Sequence, residues 1–219
     1  MSKRSPHKIR KVLTDWSGVI SDDRYPVYEA NIRMLERRNF PRISFDEWLP
    51  TTTASPREYF VARGVIENED ALFNEYTELY SEVRSGGMHP FAYPDAKLFL
   101  NTLKQKSVPV LVVSSHPEQN LKKEAEEYGL SPLIEKFIGS AKDKSVELKK
   151  IVGNYSPREF VYLGDTIYDI QSAKKAGVVS VGVASGYHVR EKLEAQKPDI
   201  LVDSLTELLQ ILLTFEFVG

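Results

Sequence analysis

From Tyr93 onward, short apolar runs alternate with stretches of helical periodicity. The runs 108–113, 160–163 and 178–183 carry almost no polar residue, whereas strands with one wet face would alternate polar and apolar positions. Continuous apolar strands separated by helices imply a parallel sheet buried on both faces. Helices are predicted over about 95–105, 118–128, 145–152, 167–176, 189–195 and 204–213. Leu98, Phe99 and Leu103 are read as the inward face of the first. Strands are predicted over 108–113, 137–138, 160–163, 178–183 and 200–202, with an earlier one over about 8–15. The expected class is α/β, a doubly wound parallel sheet.

The stretch 24–89 has a different texture. Val27, Ile32 and Leu35 recur at helical spacing, and residues 56–60 read as a helix start. Asn68 is a candidate N-cap for a helix carrying Leu72, Phe73, Tyr76, Leu79, Tyr80 and Val83, and Ser85-Gly86-Gly87 ends it. No strand pattern interrupts this stretch. The expected organisation is an α/β domain, 1–23 with 90–219, and an inserted all-helical domain, 24–89.

Composition narrows the function classes. A chain of 219 residues that is 42% hydrophobic and 27% charged has the balance of a soluble globular protein. A net charge of −2 argues against a nucleic-acid surface. The absence of cysteine excludes disulfides and thiolate metal sites. No run approaches the roughly 18 apolar residues of a membrane span, and the first eight residues lack a signal-peptide pattern. A cytoplasmic protein is expected, as a monomer or homodimer.

Three strand ends carry polar groups on the rim where doubly wound sheets bind ligands: Asp15, Ser114-Ser115, and Asp165 with Asp169. Three carboxylates at one rim repel unless a cation sits among them. Aspartate oxygens with room for water and phosphate suit Mg²⁺, and Lys144 or Lys142 near a helix start adds positive charge. Ser114 and the amides after Asp15 are then placed to hold phosphate oxygens.

Asp15-Trp16-Ser17-Gly18, the strand ending at Ser114, Lys144, and Gly164-Asp165-Thr166-Ile167-Tyr168-Asp169 resemble, in order, the four motifs of the haloacid dehalogenase superfamily. Tyr93-Pro94-Asp95-Ala96, Ala173-Lys174-Lys175-Ala176-Gly177 and Ser185-Gly186-Tyr187-His188 look like its phosphoglycolate-phosphatase-like branch, which carries a helical cap after motif one. The resemblance implies that Asp15 is the nucleophile and forms an aspartyl phosphate. It implies that Asp15, the Ser17 carbonyl and Asp165 bind Mg²⁺, with Asp169 binding through water or orienting the lysine. Trp16, Ser17, Gly18, Ser114, Ser115 and Lys144 would bind the phosphoryl group of a small phosphorylated metabolite, with Lys144 neutralising it. Lys144 fits the family spacing better than Lys142.

One position departs from the pattern. The family's phosphatases place a general acid/base aspartate two residues after the nucleophile, where this chain has Ser17. A serine hydroxyl cannot protonate a leaving alkoxide as a carboxylic acid does. General acid–base catalysis contributes about 10²–10⁴-fold, roughly 3–5.5 kcal/mol of barrier. The expectation is a Mg²⁺-dependent phosphatase of reduced efficiency, or a disarmed relative that binds a phosphorylated ligand or a protein partner. A phosphonatase-type hydrolase resembles the Asp15-Trp16 pair, but its mechanism needs a cap lysine, and no lysine lies between Lys11 and Lys97.

Several residues have a plainer reading. Arg24, Tyr25, Tyr28 and Arg33 follow motif one and could reach an anion, but arginines on a helical insertion are more often solvated. Thr51-Thr52-Thr53 reads as a cap loop or a polar turn, and His116 and His188 read as surface histidines. Trp16 is expected to line the cleft beside Asp15 or to fill space under the cap. The Leu205, Leu208, Leu209, Leu212 stripe reads as core.

Overall fold

The computed structural model describes residues 8–53 and 56–218. The segment 1–7, examined above for a leader pattern, lies outside the described residues. In chain order the elements are β1 (Lys8–Ile9), β2 (Lys11–Thr14), β3 (Ser21–Asp22), α1 (Arg24–Glu36), α2 (Phe45–Trp48), α3 (Pro56–Val61), α4 (Glu69–Ser85), β4 (Phe91–Ala92), α5 (Ala96–Gln105), β5 (Val110–Val113), α6 (Glu118–Glu127) and β6 (Lys136–Ile138). They continue with α7 (Lys144–Val152), β7 (Phe160–Gly164), α8 (Ile167–Ala176), β8 (Val179–Val183), α9 (Arg190–Glu194), β9 (Ile200–Val202), α10 (Leu205–Leu212) and β10 (Glu216–Phe217). Two compact units result, one from residues up to 21 together with 92 onward, the other from 22–91.

The first unit is built on a six-stranded sheet in the order β6-β5-β2-β7-β8-β9, whose neighbours all pair in parallel. In sequence order this is 3-2-1-4-5-6, the doubly wound arrangement whose direction of winding reverses between β2 and β7.

Alternate residues of each strand feed opposite faces, so both faces need apolar side chains. Val12, Val110, Val112, Val161 and Leu163 pack with Phe99 and Leu103 of α5, Leu121 of α6 and Leu208 of α10. Their neighbours Leu13, Leu111, Val113, Phe160 and Tyr162 pack on the other face with Leu148 of α7 and Ala173 of α8. Leu208 is fully buried and Leu213, just past the helix, is 44% exposed. Leu208→Ala should therefore destabilise the protein by about 3 kcal/mol. Leu213→Ala should stay within about 0.5 kcal/mol. Urea midpoints with unchanged slopes are the check.

Three local expectations are corrected. Leu98 is 58% exposed, because α5 buries Ala96, Phe99, Leu100 and Leu103, an i, i+3, i+4, i+7 face that leaves Leu98 outside it. The first strand is split at Arg10, with Lys8 and Ile9 pairing in parallel with β10 rather than with the main sheet. β5 begins at Val110 rather than Val108, since Pro109 has no N–H for the ladder and the Val108 amide instead closes α5 on the Leu103 carbonyl.

The second unit is helical, with α1 packed along α4. Asn68 caps α4 by accepting from the Asp70 and Ala71 amides. Phe73 lies outside the buried face of Leu72, Leu79 and Val83. Glu29 binds both Arg33 and Arg42, and Arg38 bridges Glu67 and Glu75. Among the described residues no helix is long and apolar enough to cross a membrane.

Candidate active site

Asp15 leaves the C-terminal end of β2, and its amide continues the ladder by donating to the Leu163 carbonyl at 2.8 Å. Asp165 directly follows β7, the strand paired with β2. The two carboxylates therefore share the rim at the point where the winding reverses, where the strand ends diverge and leave a crevice. Asp169 joins them because Thr166 opens α8 with a capping box: Thr166 Oγ1 accepts from the Asp169 amide, and the Asp169 carboxylate accepts from the Thr166 amide.

Lys144, the first residue of α7, closes the group. Its Nζ donates to Asp15 Oδ2 at 2.6 Å and to Asp169 Oδ1 at 2.7 Å. All four side chains are nearly inaccessible to solvent. Lys142 is exposed, and its backbone carbonyl accepts a hydrogen bond from the Tyr168 hydroxyl at 3.4 Å.

The charges do not balance. Asp15, Asp165 and Asp169 each offer an oxygen within 4.8 Å of the others, against one ammonium, that of Lys144, among the described residues. Burial pushes the Asp15 carboxyl above its ordinary value, although Lys144 opposes the shift. Asp165 is raised further, by burial and then by the facing Asp169 and Asp15. Burial alone would lower Lys144, but Asp15 and Asp169 outweigh it and hold the ammonium above the usual lysine range.

The space around Asp165 is set by two glycines. A Cβ on Gly18, which has φ +74°, would lie 2.0 Å from Asp165 Oδ2, and one on Gly186 would lie 2.1 Å from the same atom. Between them Asp165 Oδ2 accepts from the Tyr187 amide at 2.7 Å.

Ser114 follows β5 at the same end of the sheet and is buried, its amide donating to the Ile138 carbonyl. Ser115 is exposed. Ser17 is half-buried and forms an isolated bridge with Ser21. Trp16 is buried. Its ring stacks on Tyr128 and meets Phe137 edge-on, and Nε1 donates to Glu124 at 2.8 Å.

In the helical unit, Arg24 is bound to Asp22 through two nitrogens and Arg33 to Glu29. Tyr28 donates to the Ile43 carbonyl, and Tyr25 stacks on Phe45. The hydroxyls of Thr51 and Thr52 turn back onto Trp48 and Leu49.

Sequence reasoning misses Tyr162 and misplaces His188. The buried Tyr162 donates to Asp169 Oδ1 at 3.1 Å, beneath the Lys144 contact. Its position within an apolar strand gave no signal, since tyrosine is a common strand residue. His188 is 5% exposed rather than a surface histidine. Its role depends on a contact with Ile167, distant in sequence, which no motif announces.

The sequence profile of the haloacid dehalogenase-like hydrolases matches residues 12–183. A phosphoglycolate phosphatase of Vibrio parahaemolyticus is 23% identical over 219 residues, covering 93% of this chain and 96% of that protein. A phosphoglycolate phosphatase of Pasteurella multocida is 29% identical over 127 residues, covering 55% of this chain and 57% of the relative's length. Among solved structures, a predicted phosphoglycolate phosphatase from Haemophilus somnus superposes with a TM-score of 0.75 at 18% identity, covering 93% of this chain and 97% of that one. A haloacid dehalogenase-like protein of Agrobacterium tumefaciens gives a TM-score of 0.78 at 17% identity, covering 94% of this chain and 98% of that one. The doubly wound sheet, the acidic rim at its winding reversal and the profile match over most of its length lead to one assignment: this chain belongs to the haloacid dehalogenase-like hydrolase family.

Proposed function

We propose that the protein is a Mg²⁺-dependent phosphatase acting on a small phosphorylated metabolite, with Asp15 as nucleophile. The observation that carries this reading is the buried group in which Lys144 joins Asp15 to Asp169 while Asp165, which pairs with no ammonium among the described residues, stands beside them. This donor set fits a hard divalent cation. Asp15, Asp165 and Asp169 would hold it, with the Ser17 carbonyl as a further oxygen. Bound there, Mg²⁺ supplies the positive charge that offsets the carboxylates and the phosphate dianion.

The chain's own residues do the rest. An Asp15 oxygen attacks phosphorus in line, and the bond from phosphorus to the ester oxygen breaks with its electron pair leaving on that oxygen. Lys144 and the Ser114 hydroxyl steady the transferring oxygens. Water then attacks the aspartyl phosphate, releasing inorganic phosphate and restoring Asp15. Ser17 can neither supply the proton to the first leaving group nor take one from that water with the strength of a carboxyl group. Turnover is therefore slow with alkyl esters and better with acyl or aryl phosphates, whose leaving groups need little protonation.

Ser17 is also what favours a second reading, a disarmed relative that binds a phosphorylated ligand or a protein partner. Mg²⁺-dependent hydrolysis of an aryl phosphate decides between them. The expected result is turnover by wild type, none by Asp15→Asn, and acceleration by Ser17→Asp of at least about 10-fold, within the range of general acid–base catalysis. Silence from wild type with activity gained only by Ser17→Asp would establish the disarmed protein instead.

A further inference from the structure

We propose that His188 is a positioning residue, locking the loop 184–188 onto the start of α8 so that Asp165 is held in place for a divalent cation. The inference rests on the metal site proposed above. Its subject, however, is a side chain and a loop that the resemblance to the family includes without giving them a role at the metal.

The first amides of any helix lack intrahelical partners. In α8 one of them, the amide of Ile167, donates to His188 Nδ1 at 3.0 Å. An accepting Nδ1 means a neutral imidazole with its proton on Nε2. The His188 amide donates back to the Asp165 carbonyl at 3.3 Å. One buried residue thus fastens the loop to both sides of the Asp165–Thr166–Ile167 segment.

The rest of the loop faces the carboxylate itself. The Tyr187 amide donates to Asp165 Oδ2, and Gly186 lies so close to that oxygen that only a missing Cβ permits the approach. The far end of the loop is tied down by Tyr93, whose hydroxyl donates to the Ser185 carbonyl at 2.8 Å. A carboxylate so hemmed in cannot rotate freely, and fixed ligand orientation is what the groups behind metal ligands provide.

A merely structural histidine would affect stability without affecting cation affinity. Mg²⁺ binding by titration calorimetry, on proteins shown to be folded by circular dichroism, separates the two. His188→Leu removes the acceptor and should weaken Mg²⁺ binding about 10-fold or more. His188→Asn places Oδ1 close to the position of Nδ1 and should remain within about 3-fold of wild type. Gly186→Ala leaves the Ile167 cap intact but crowds Asp165, and should also weaken binding about 10-fold; if His188→Leu does not fold, unchanged binding in Gly186→Ala or a loss beyond about 3-fold in His188→Asn still overturns the inference.

Wild-type affinity in His188→Leu or in Gly186→Ala would overturn the inference alone, since the metal site would still stand. Equal losses in His188→Leu and His188→Asn would overturn it too, because the acceptor would then not be what matters. A wild-type protein that takes up no Mg²⁺ would overturn this inference together with the proposed metal site.

Discussion

Lys144→Met is expected to lower aryl phosphate turnover by about 10²–10³-fold or more, the scale seen when one preorganised charge-stabilising group is removed. It should also cost about 3–5 kcal/mol of stability near neutral pH, because it strands two buried carboxylates. The lysine touches Asp15 and Asp169 at once, so one methionine removes both ion pairs while filling a similar volume. The stability deficit should depend on pH with a definite sign. Burial already raises Asp15 above its ordinary 3.8 with Lys144 present, and without the lysine the shift grows. A carboxyl with a raised folded pKa binds more protons in the native state than in the unfolded chain, so stability falls as pH rises above the unfolded value. The deficit in urea should therefore be small near pH 4 and widen toward pH 7. A deficit independent of pH would mean that lost packing, not stranded charge, is responsible.

Gly18→Ala is the second large effect. Its φ of +74° alone costs an alanine about 1–3 kcal/mol. The added Cβ would also meet Asp165 Oδ2 at 2.0 Å. A lone flexible carboxylate would step aside, but Gly186 also lies close against this one and the Tyr187 amide holds it. Mg²⁺ affinity should fall about 10-fold or more, as for losses of groups that orient a ligand. Gly64→Ala is the control: its φ is +78°, yet nothing lies within 4 Å of the added Cβ. It should show the backbone cost and leave Mg²⁺ binding unchanged. If both variants bind Mg²⁺ like wild type, Asp165 is less confined than the geometry indicates.

The parallel sheet was legible because each strand must be apolar on both faces, so 160–163 and 178–183 announce themselves without any partner. The grouping of Asp15, Asp165 and Asp169 was legible because they fall at strand ends and a helix start, whereas Lys144 was preferred to Lys142 only on the spacing of the motifs the chain resembles. What sequence could not carry was the phase of α5, where one extra leucine at 98 mimics a core position. The split at Arg10 was hidden too, since it depends on pairing with β10 some 200 residues later. Trp16, His188 and Tyr162 share one difficulty. Trp16 and His188 are defined by partners 108 and 21 residues away, Glu124 and Ile167, and Tyr162 by a carboxylate on the helix that follows its strand, a contact set by how α8 folds back and not by local pattern.

The placement of β2 at the centre of the sheet has a consequence during synthesis. Its two neighbours are β5, whose register begins at Val12↔Val110, and β7, whose register begins at Lys11↔Phe160. The second partner thus emerges 160 − 11 = 149 residues after β2. At ribosomal rates of about 5–20 residues per second, the interval is roughly 7–30 s. For that time Val12 and Leu13 have one face of the strand's hydrogen bonding unfilled, and until β5 appears they have both. The helical segment 22–91, a compact unit of its own, can condense during the wait. The nascent chain therefore passes through a stage in which the strand that ends at Asp15 is an open edge, the stage at which holdase chaperones or aggregation would compete for it.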